Sequence, residues 1–282
     1  MSFAEKTVLI TGASSGIGKC TALMLAPQQP RLVLLCRDPN RGKAVADQIA
    51  RETGNEKIEL LIADLAVQSA IHHAAEEFLL KHDRLDVLIN NAGIGARERK
   101  LTPDGIEQTF AVNHCAYFLL TNLLLSALKA SSPSRIINVS SEAHRNVTLD
   151  FEDLQGEKRF AGFRAYSITK LCNVLFTYEL ARRLNGTGVT ANVLHPGYLN
   201  TAIFRETSGI VRFLVRMTAG KPEKGAEAIV HLATDSELEN VSGKYFRGRK
   251  QVQSSAASYD EATAKRLWDL SAKLTGLSSA SL

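Results

Sequence analysis

The stretch TVLITGASSGIG, residues 7–18, decides the fold of this chain. Its opening segment, Thr7–Ile10, is β-branched or leucine and apolar on both faces, which is typical of a parallel strand covered by helices. Three glycines follow in a turn that opens a helix, where free N–H groups and the helix dipole suit a pyrophosphate. Their spacing is GxxxGxG rather than the commoner GxGxxG, and a plain glycine-rich loop is the alternative interpretation. The candidate nucleotide contacts in this turn are Gly12, Ser14, Ser15, Gly16, Ile17 and Gly18.

Short apolar runs alternate with amphipathic segments along the rest of the chain. The predicted strands are Thr7–Ile10, Arg31–Cys36, Ile58–Ile62, Val87–Ile89, Arg135–Val139, Thr190–Leu194 and, as a seventh, Gly243–Phe246. The predicted helices are Gly18–Leu25, Arg41–Glu52, Ser69–Lys81, Pro103–Lys129, Ala165–Leu184 and Tyr259–Leu274. This alternation predicts an α/β fold, a single-domain Rossmann-type doubly wound parallel sheet of about seven strands with helices on both faces.

Composition excludes several classes of protein. The 282 residues are 45% hydrophobic and 22% charged, which is ordinary for a globular chain. The net charge of +5 comes without a basic stripe of interleaved aromatic residues, so we expect no nucleic-acid partner. The cysteines lack metal-ligand spacing, so we expect no metal site and buried thiols in a reducing compartment. With neither a signal sequence nor a transmembrane-length apolar run, the expected location is the cytoplasm. The four cysteines are Cys20, Cys36, Cys115 and Cys172.

The end of the second strand favours one cofactor. Arg37 follows this strand and Arg41 lies close behind it. A planar cation here suits the 2′-phosphate of NADP(H), whereas NAD calls for an acidic residue on the ribose hydroxyl. Asp38 argues against NADP(H), but it stands one position later and is able to cap the following helix.

The ends of the third and fourth strands carry weaker signals. Asp64 and Leu65 close the third strand, and Asp64 either binds an adenine amino group or caps a helix. Asn91, Ala92 and Gly93 follow the fourth strand, where the backbone would run close to the adenine ribose. By itself this second segment is only a turn.

Tyr166 and Lys170 lie four residues apart in the segment YSITK, which places them on one face of a helix. A phenol has an ordinary pKa of about 10, and a nearby ammonium favours the phenolate. The pair therefore indicates a general acid/base that works near neutral pH. On its own the spacing is weak, because many solvated helices carry it by chance.

Taken in order, the motifs resemble the short-chain dehydrogenase/reductase family over essentially the whole chain. The ordered set is TGxxxGxG, Asp64-Leu65, Asn90-Asn91-Ala92-Gly93, Asn113, Asn138-Val139-Ser140-Ser141, YxxxK and Pro196-Gly197. Each motif is weak alone, whereas the ordered set is specific. The segments LTPDG at 101–105, FEDLQGEK at 151–158 and AKRLW at 264–268 are similar, more narrowly, to the retinol dehydrogenase group. Protochlorophyllide reductases share KLCN at 170–173, but they carry an insertion before the tyrosine that this chain lacks.

The resemblance implies a hydride-transfer enzyme. Tyr166 would donate a proton to a carbonyl oxygen, and Ser141 would hydrogen-bond the same oxygen. Lys170 would lower the pKa of Tyr166 and hold the nicotinamide ribose. Asn113 would anchor a water; from the sequence alone, an amide bonded to its own helix backbone is the alternative. The catalytic set is therefore Asn113, Ser141, Tyr166 and Lys170, and the further cofactor contacts are Tyr166, Lys170, Pro196, Gly197 and Thr201.

The same resemblance divides one domain, 1–282, into functional parts. These are a dinucleotide-binding part at about 1–195, a substrate lid at about 198–220 and a carboxy-terminal helix at about 259–275. Residues 202–217 mix apolar side chains with arginines, and they either pack on the body or make peripheral contact with a membrane. The expected reaction is the NADP(H)-dependent interconversion of an apolar aldehyde or ketone, retinal-like first, with its alcohol.

Several alternatives stay open. The enzyme could be a steroid or xenobiotic carbonyl reductase, or resemble protochlorophyllide reductases. It could also bind NADP(H) without turnover, although a pure binder has no need of Ser141. His144 and His195 are predicted to be structural, with His144 as a wall of the substrate pocket. The family implies a homo-oligomer that assembles through Pro103–Lys129 and Ala165–Leu184.

Overall fold

One mixed sheet runs through the computed structural model, which describes residues 2–197 and 221–278. The strands are β1 Thr7–Thr11, β2 Arg31–Cys36, β3 Ile58–Ile62, β4 Val87–Asn90, β5 Ser134–Val139, β6 Val189–His195, β7 Tyr245–Arg247 and β8 Lys250–Val252. The strand order within the described residues is β3-β2-β1-β4-β5-β6-β7-β8. The first seven strands pair in parallel, and β8 pairs antiparallel with β7.

The predicted α/β class and doubly wound topology are confirmed, and the strand count needs one correction. The described part of the chain has eight strands rather than about seven. The additional strand, β8, is only three residues long, Lys250–Val252, and is exposed throughout. It follows a turn at Gly248, and a strand so short and exposed has no apolar pattern that periodicity could detect.

Helices cover both faces of the sheet because alternate strand residues point to opposite sides. The helices are α1 Gly16–Leu25, α2 Pro39–Thr53, α3 Gln68–Lys81, α4 Ala116–Leu123, α5 Leu125–Ala130, α6 Gly162–Arg183, α7 Pro222–Thr234 and α8 Glu261–Leu274. Val8 and Ile10 pack with α1, α2 and α7 on one face. Leu9 packs with α3, α4, α5, α6 and α8 on the other face.

The long helix predicted over Pro103–Lys129 is wrong at its start and is interrupted. Leu101 pairs with Glu107 in an antiparallel bridge, with Gly105 at φ +75° in the turn between them. The Glu107 carboxylate then caps a helical turn, Gln108–Phe110, by accepting from the N–H groups of Thr109 and Phe110. A π-helical segment, Ala111–Cys115, precedes α4, and Leu124 separates α4 from α5. The Asp104-Gly105 pair is a turn signal that the helical pattern concealed.

The carboxy-terminal helix α8 occupies the face on which we predicted a second copy of the chain. Trp268 packs edge-on against Phe118, with ring centroids 4.8 Å apart, and stacks on Phe176 at 5.8 Å. Every residue of α6 from 166 to 180 is buried within the single chain. This part of α6 is therefore covered by the chain itself. Homo-oligomerisation through the predicted helices stays a prediction.

Two further properties follow from the described residues. None of their helices combines the length and apolar character needed to cross a membrane.

All four cysteines are free thiols; Cys20 is partly exposed, and the other three are buried as predicted.

Candidate active site

One large cavity lies across the carboxyl ends of β1 to β6. Its volume is about 1370 Å³. An open parallel sheet places ligands at this edge because the strands and their following loops converge there. Most of the predicted site residues line it: Gly12, Ser14, Ser15, Gly16, Ile17, Arg37, Arg41, Asp64, Leu65, Asn91, Ala92, Gly93, Ser141, Tyr166, Lys170, Pro196 and Gly197. Gly18 and Asn113 lie behind this lining. Thr201 and residues 202–217 fall outside the described residues.

The glycine-rich turn suits an anion. Ser15 is the N-cap of α1, yet its side chain makes no capping hydrogen bond to the first turn. The N–H groups at this helix start are thus left for a ligand, at the positive end of the helix dipole. Gly16 has φ +56° and open space above its α-carbon, so a phosphate has room to approach the backbone. The residues present therefore fit a dinucleotide pyrophosphate.

Gly18 has a packing role instead. A β-carbon at this position would lie 2.5 Å from the carbonyl oxygen of Gly12 and 2.6 Å from Nδ2 of Asn91. Only glycine lets α1 approach the end of β1 so closely. Gly18 therefore shapes the turn from behind the cavity.

The turn after β4 is held by two residues, Thr11 and Tyr117, that were not among the predicted site residues. The Thr11 hydroxyl accepts from the N–H groups of Asn91 at 2.9 Å and Ala92 at 3.0 Å. Tyr117 donates its hydroxyl to the Ala92 carbonyl at 2.8 Å. Signals for both were available, because Thr11 opens the glycine-rich turn and Tyr117 stands one helical turn after Asn113. The positions of Thr11 and Tyr117 in the sequence do not indicate that their side chains contact the turn after β4.

The cationic end of the cavity is formed after β2. Arg37 and Arg41 both line it, and neither forms an ion pair with a carboxylate in the part of the chain that the structure describes. Asp38 is the N-cap of α2 and accepts from the N–H groups of Asn40 at 2.9 Å and Arg41 at 3.1 Å. Its carboxylate is therefore used by the helix, as the capping interpretation predicted. Asp64 also serves a local turn, where it accepts from the N–H of Ala66 at 2.9 Å while lining the cavity.

Ser141, Tyr166 and Lys170 meet at the centre of the cavity. Ser141 Oγ accepts from the N–H of Ala143 at 3.3 Å, and the Ser141 side chain also interacts with the Tyr166 phenol, whose pKa it lowers. Lys170 Nζ lies 5.5 Å from the Tyr166 ring centroid and donates to the Val139 carbonyl at 3.0 Å. Ser140 turns the other way, because its hydroxyl donates to the backbone carbonyl of Lys170 at 2.7 Å. Of the two serines, only Ser141 is thus directed to Tyr166.

The protonation states differ from the prediction. Burial raises the pKa of Tyr166 to about 12, although its hydrogen bond with Ser141 lowers this pKa in part. Burial also lowers the pKa of Lys170 to about 7. The predicted lowering of the Tyr166 pKa by Lys170 is therefore not found in the protein alone. Burial disfavours the charged form of each group, and this outweighs their mutual attraction.

Asn113 is buried within the π-helical segment Ala111–Cys115. Its side-chain amide donates to the Ile94 carbonyl at 2.9 Å and to Oγ1 of Thr169 at 3.1 Å. Its side-chain oxygen accepts from the N–H of Ile94 at 2.8 Å. The side chain thus links the loop after β4 to α6. It does not bond to the backbone of its own helix, which was the alternative interpretation. Helices with such a π segment often carry functional residues.

The two histidines near the site are placed differently. His195 lines the cavity, and burial lowers its pKa to about 4, so it is neutral at physiological pH. His144 is fully buried and is not part of the cavity lining. The prediction that His144 forms a wall of the substrate pocket is therefore wrong. The residue lies behind Ser141 because the short helix that follows Ser141 turns it inward.

The fold and this cavity define an α/β protein of the dinucleotide-binding type. Comparison with known proteins identifies its family. The sequence model of the short chain dehydrogenase family matches residues 6–209. Human retinol dehydrogenase 13 is 45% identical over 286 residues, which cover 98% of this chain and 86% of that protein. Human retinol dehydrogenase 11 is 43% identical, with 96% of this chain and 86% of that protein covered.

Solved structures agree with the sequence comparison. The structure of an uncharacterised protein from Mycobacterium paratuberculosis superposes with a TM-score of 0.81 and is 34% identical in sequence. The match covers 98% of this chain and 95% of that protein's chain. The chain belongs to the short-chain dehydrogenase/reductase family and is similar to its retinol dehydrogenases. It is therefore an oxidoreductase, in a family that binds nicotinamide cofactors.

Proposed function

We propose that this protein is an NADP(H)-dependent oxidoreductase that interconverts an apolar aldehyde or ketone and the corresponding alcohol. A retinal-like compound is the first candidate substrate. One observation carries the proposal. The Ser141 and Tyr166 side chains and Lys170 converge in the same cavity as the glycine-rich turn and two arginines that have no ion-pair partner among the described residues. The cavity thus contains both the candidate proton-transfer groups and the candidate dinucleotide-binding residues.

The proposed roles follow from the chemistry of carbonyl reduction. A bound nicotinamide cofactor supplies the hydride to the carbonyl carbon, or accepts it in the reverse reaction. Tyr166 donates a proton to the oxygen, and Ser141 stabilises the charge that develops there by hydrogen bonding. Lys170 holds the nicotinamide ribose and favours the phenolate once the proton has left. Asn113 anchors a water on the route by which the proton is replaced.

The protonation state of the phenol suits one direction of the reaction. With a pKa of about 12, Tyr166 carries its proton throughout the neutral range. It is therefore ready to act as a general acid toward a carbonyl oxygen. Alcohol oxidation instead requires Tyr166 to lose that proton before it can act as a base.

The proposed choice of NADP(H) rests on the end of β2. Arg37 and Arg41 line the cavity there, while the Asp38 carboxylate is engaged in capping α2. A 2′-phosphate would find planar cations, whereas the carboxylate that NAD calls for on its ribose hydroxyl already caps α2 through Oδ1 of Asp38. The proposed pyrophosphate contact is the glycine-rich turn. Thr201 would reach the nicotinamide carboxamide or the pyrophosphate, and Pro196 and Gly197 would lie against the nicotinamide.

An apolar substrate is supported by the surroundings of Tyr166. Phe163 lines the cavity, stands one helical turn before Tyr166 and is 62% exposed. Ile94, Ala96 and Val112 line the same space. A large exposed aromatic side chain in a cavity is well placed to bury the apolar body of a ligand. The relatives named retinol dehydrogenases make a retinal-like isoprenoid the first candidate.

The proposed setting is the cytoplasm, with peripheral membrane contact through residues 202–217 and assembly into a homo-oligomer. The support for membrane contact is the mixture of apolar residues and arginines in that segment.

The test is the oxidation of NADPH and of NADH, each followed by absorbance, against retinal, a medium-chain aldehyde, a steroid ketone and an aromatic diketone. We expect turnover with NADPH preferred and retinal ranked first. A steroid or diketone ranked first would support the carbonyl reductase alternative. Tight NADPH binding without turnover of any carbonyl, or turnover only of a chlorin in light, would contradict the proposal.

The apolar contact is tested by Phe163→Ala. We expect KM for retinal to rise roughly tenfold, because a buried aromatic contact contributes about 1–3 kcal/mol, while KM for a short aldehyde changes less. Leu80→Ala is the matched control, since Leu80 is 88% exposed on α3 and does not line the cavity. An equal change for long and short substrates would contradict this role of Phe163.

A further inference from the structure

His144 makes two hydrogen bonds to backbone groups directly behind the cavity. Its Nδ1 lies 2.7 Å from the carbonyl oxygen of Ser141. Its Nε2 lies 3.1 Å from the backbone nitrogen of Ser255, which donates to it. The side chain is fully buried, and its ring packs against that of Tyr245 with centroids 4.9 Å apart. The imidazole therefore joins Ser141 to Ser255, which lies 111 residues after His144 in the chain.

The two partners fix the form of the imidazole. A backbone carbonyl only accepts, so Nδ1 must carry the proton. A backbone N–H only donates, so Nε2 must be unprotonated. His144 is therefore the neutral Nδ1–H tautomer, and neither nitrogen is available for proton transfer with a ligand. Its contribution to the site has to be geometric.

The segment 253–258, between β8 and α8, is itself held firmly. Arg145 donates to the Gln253 carbonyl at 2.6 Å. Ser254 shares a hydrogen bond of 2.7 Å with the Tyr178 hydroxyl on α6. The segment thus spans from the short helix after Ser141 to the helix that carries Tyr166. Among these contacts, the one made by His144 reaches the backbone of Ser141 directly.

We infer that His144 is a positioning residue that sets the orientation of Ser141 toward Tyr166. The inference rests on the role proposed above for Ser141. Ser141 has extended backbone at φ −155° and ψ 153°, immediately before the short helix. Its carbonyl accepts from the imidazole Nδ1–H at 2.7 Å and from the backbone N–H of His144 at 3.1 Å, while its side chain interacts with Tyr166. Without the Nδ1–H donor, the carbonyl keeps only the longer backbone bond. The peptide after Ser141 is then less restrained, and the hydroxyl can turn away from the phenol.

Two substitutions separate the two bonds of the imidazole. In His144→Asn, the side-chain amide nitrogen can take the place of Nδ1 and donate to the Ser141 carbonyl, but the acceptor for Ser255 is lost. In His144→Gln, the longer side chain reaches the place of Nε2 and can accept from Ser255, but the donor to Ser141 is lost. Both variants remove the ring from the core, so a purely structural role predicts similar losses in both.

We expect His144→Gln to lower kcat by roughly tenfold, and His144→Asn to stay within about twofold of the wild type. KM for NADPH should stay within about twofold in both, because the nucleotide turn is not touched. A second readout does not need turnover. The NMR resonance of the Tyr166 ring carbon that bears the hydroxyl should move in His144→Gln toward its position in Ser141→Ala, and should stay in place in His144→Asn.

Equal losses of kcat in both variants, or an unmoved Tyr166 resonance in His144→Gln, would overturn the positioning role. Full turnover in Ser141→Ala would instead overturn the proposed role of Ser141, and the inference with it. If the wild type turns over no carbonyl, the proposed function fails, and the Tyr166 resonance alone still decides whether His144 orients Ser141.

Discussion

At the level of single residues, Tyr166, Lys170 and His114 share one property: each ionisable side chain is at least nine-tenths buried. Burial raises the pKa of Tyr166 and lowers the pKa values of Lys170 and His114, which in each case favours the neutral form. The consequence of each pKa shift depends on where the residue lies. The shift at Tyr166 affects the proposed proton transfer. The shift at His114 affects folding stability, because His114 lies in the core and hydrogen-bonds Ser271 of α8 at 2.8 Å.

His114 makes the stability of the protein depend on pH. Burial lowers its pKa from 6.5 to about 4. Between these values the unfolded chain binds a proton that the folded chain does not, so stability is lost as pH falls from about 6.5 toward 4. The full shift corresponds to about 3 kcal/mol. We expect His114→Gln to lose distinctly less stability than the wild type over this range, as measured by urea unfolding at several pH values.

His73→Gln is the control, because the His73 side chain is 82% exposed. It should leave the pH dependence of the wild type unchanged. If the wild type and His114→Gln showed the same pH dependence, the buried neutral state of His114 would be contradicted.

Arg37 determines cofactor choice in this account. In Arg37→Ala, KM for NADPH should rise roughly tenfold or more, because a charged hydrogen bond to a phosphate contributes about 1.5–3 kcal/mol. KM for NADH should change little. Arg51→Ala is the matched control, since Arg51 lies at the far end of α2 and does not line the cavity. Parallel increases for the two cofactors would show that Arg37 does not read the 2′-phosphate.

At the level of elements, α8 completes the core on the side where α6 carries Tyr166 and Lys170. Trp268 contacts Phe118 and Phe176, and the Arg183 guanidinium lies over its ring at 4.2 Å. The hydrogen bond between His114 and Ser271 thus lies in a region that α8 closes. The helix α8 therefore supports the packing of α6, which carries Tyr166 and Lys170.

Trp268→Ala should therefore destabilise the protein strongly. The indole is 3% exposed, and removal of a buried aromatic side chain lowers the free energy of unfolding by about 3–5 kcal/mol. Chemical denaturation measures this loss. Leu80→Ala, at an exposed position of α3, should stay within about 0.5 kcal/mol of the wild type. A loss below about 1 kcal/mol for Trp268→Ala would mean that α8 is not part of the core.

At the level of the whole molecule, the parallel strands, the sheet topology and the location of the cavity could be predicted from the sequence. Apolar runs and glycine spacing encode them locally. The strand β8 and the break before Gln108 were missed, since one is three exposed residues and the other depends on a Glu107 cap. The pKa shifts of Tyr166 and Lys170 could not be predicted either, because burial arises from chain segments distant in sequence. For the same reason, nothing near Ser141 in the sequence indicates that His144 bonds Ser255.

The central claim is that Tyr166 transfers the proton in a carbonyl reductase that uses NADPH. The most direct measurement compares Tyr166→Phe with the wild type for kcat with the best carbonyl of the panel and for the Kd of NADPH. We predict that kcat falls by about 10²- to 10⁴-fold, because the general acid is lost, while Kd stays within about twofold. Turnover at the wild-type rate in Tyr166→Phe would contradict the account.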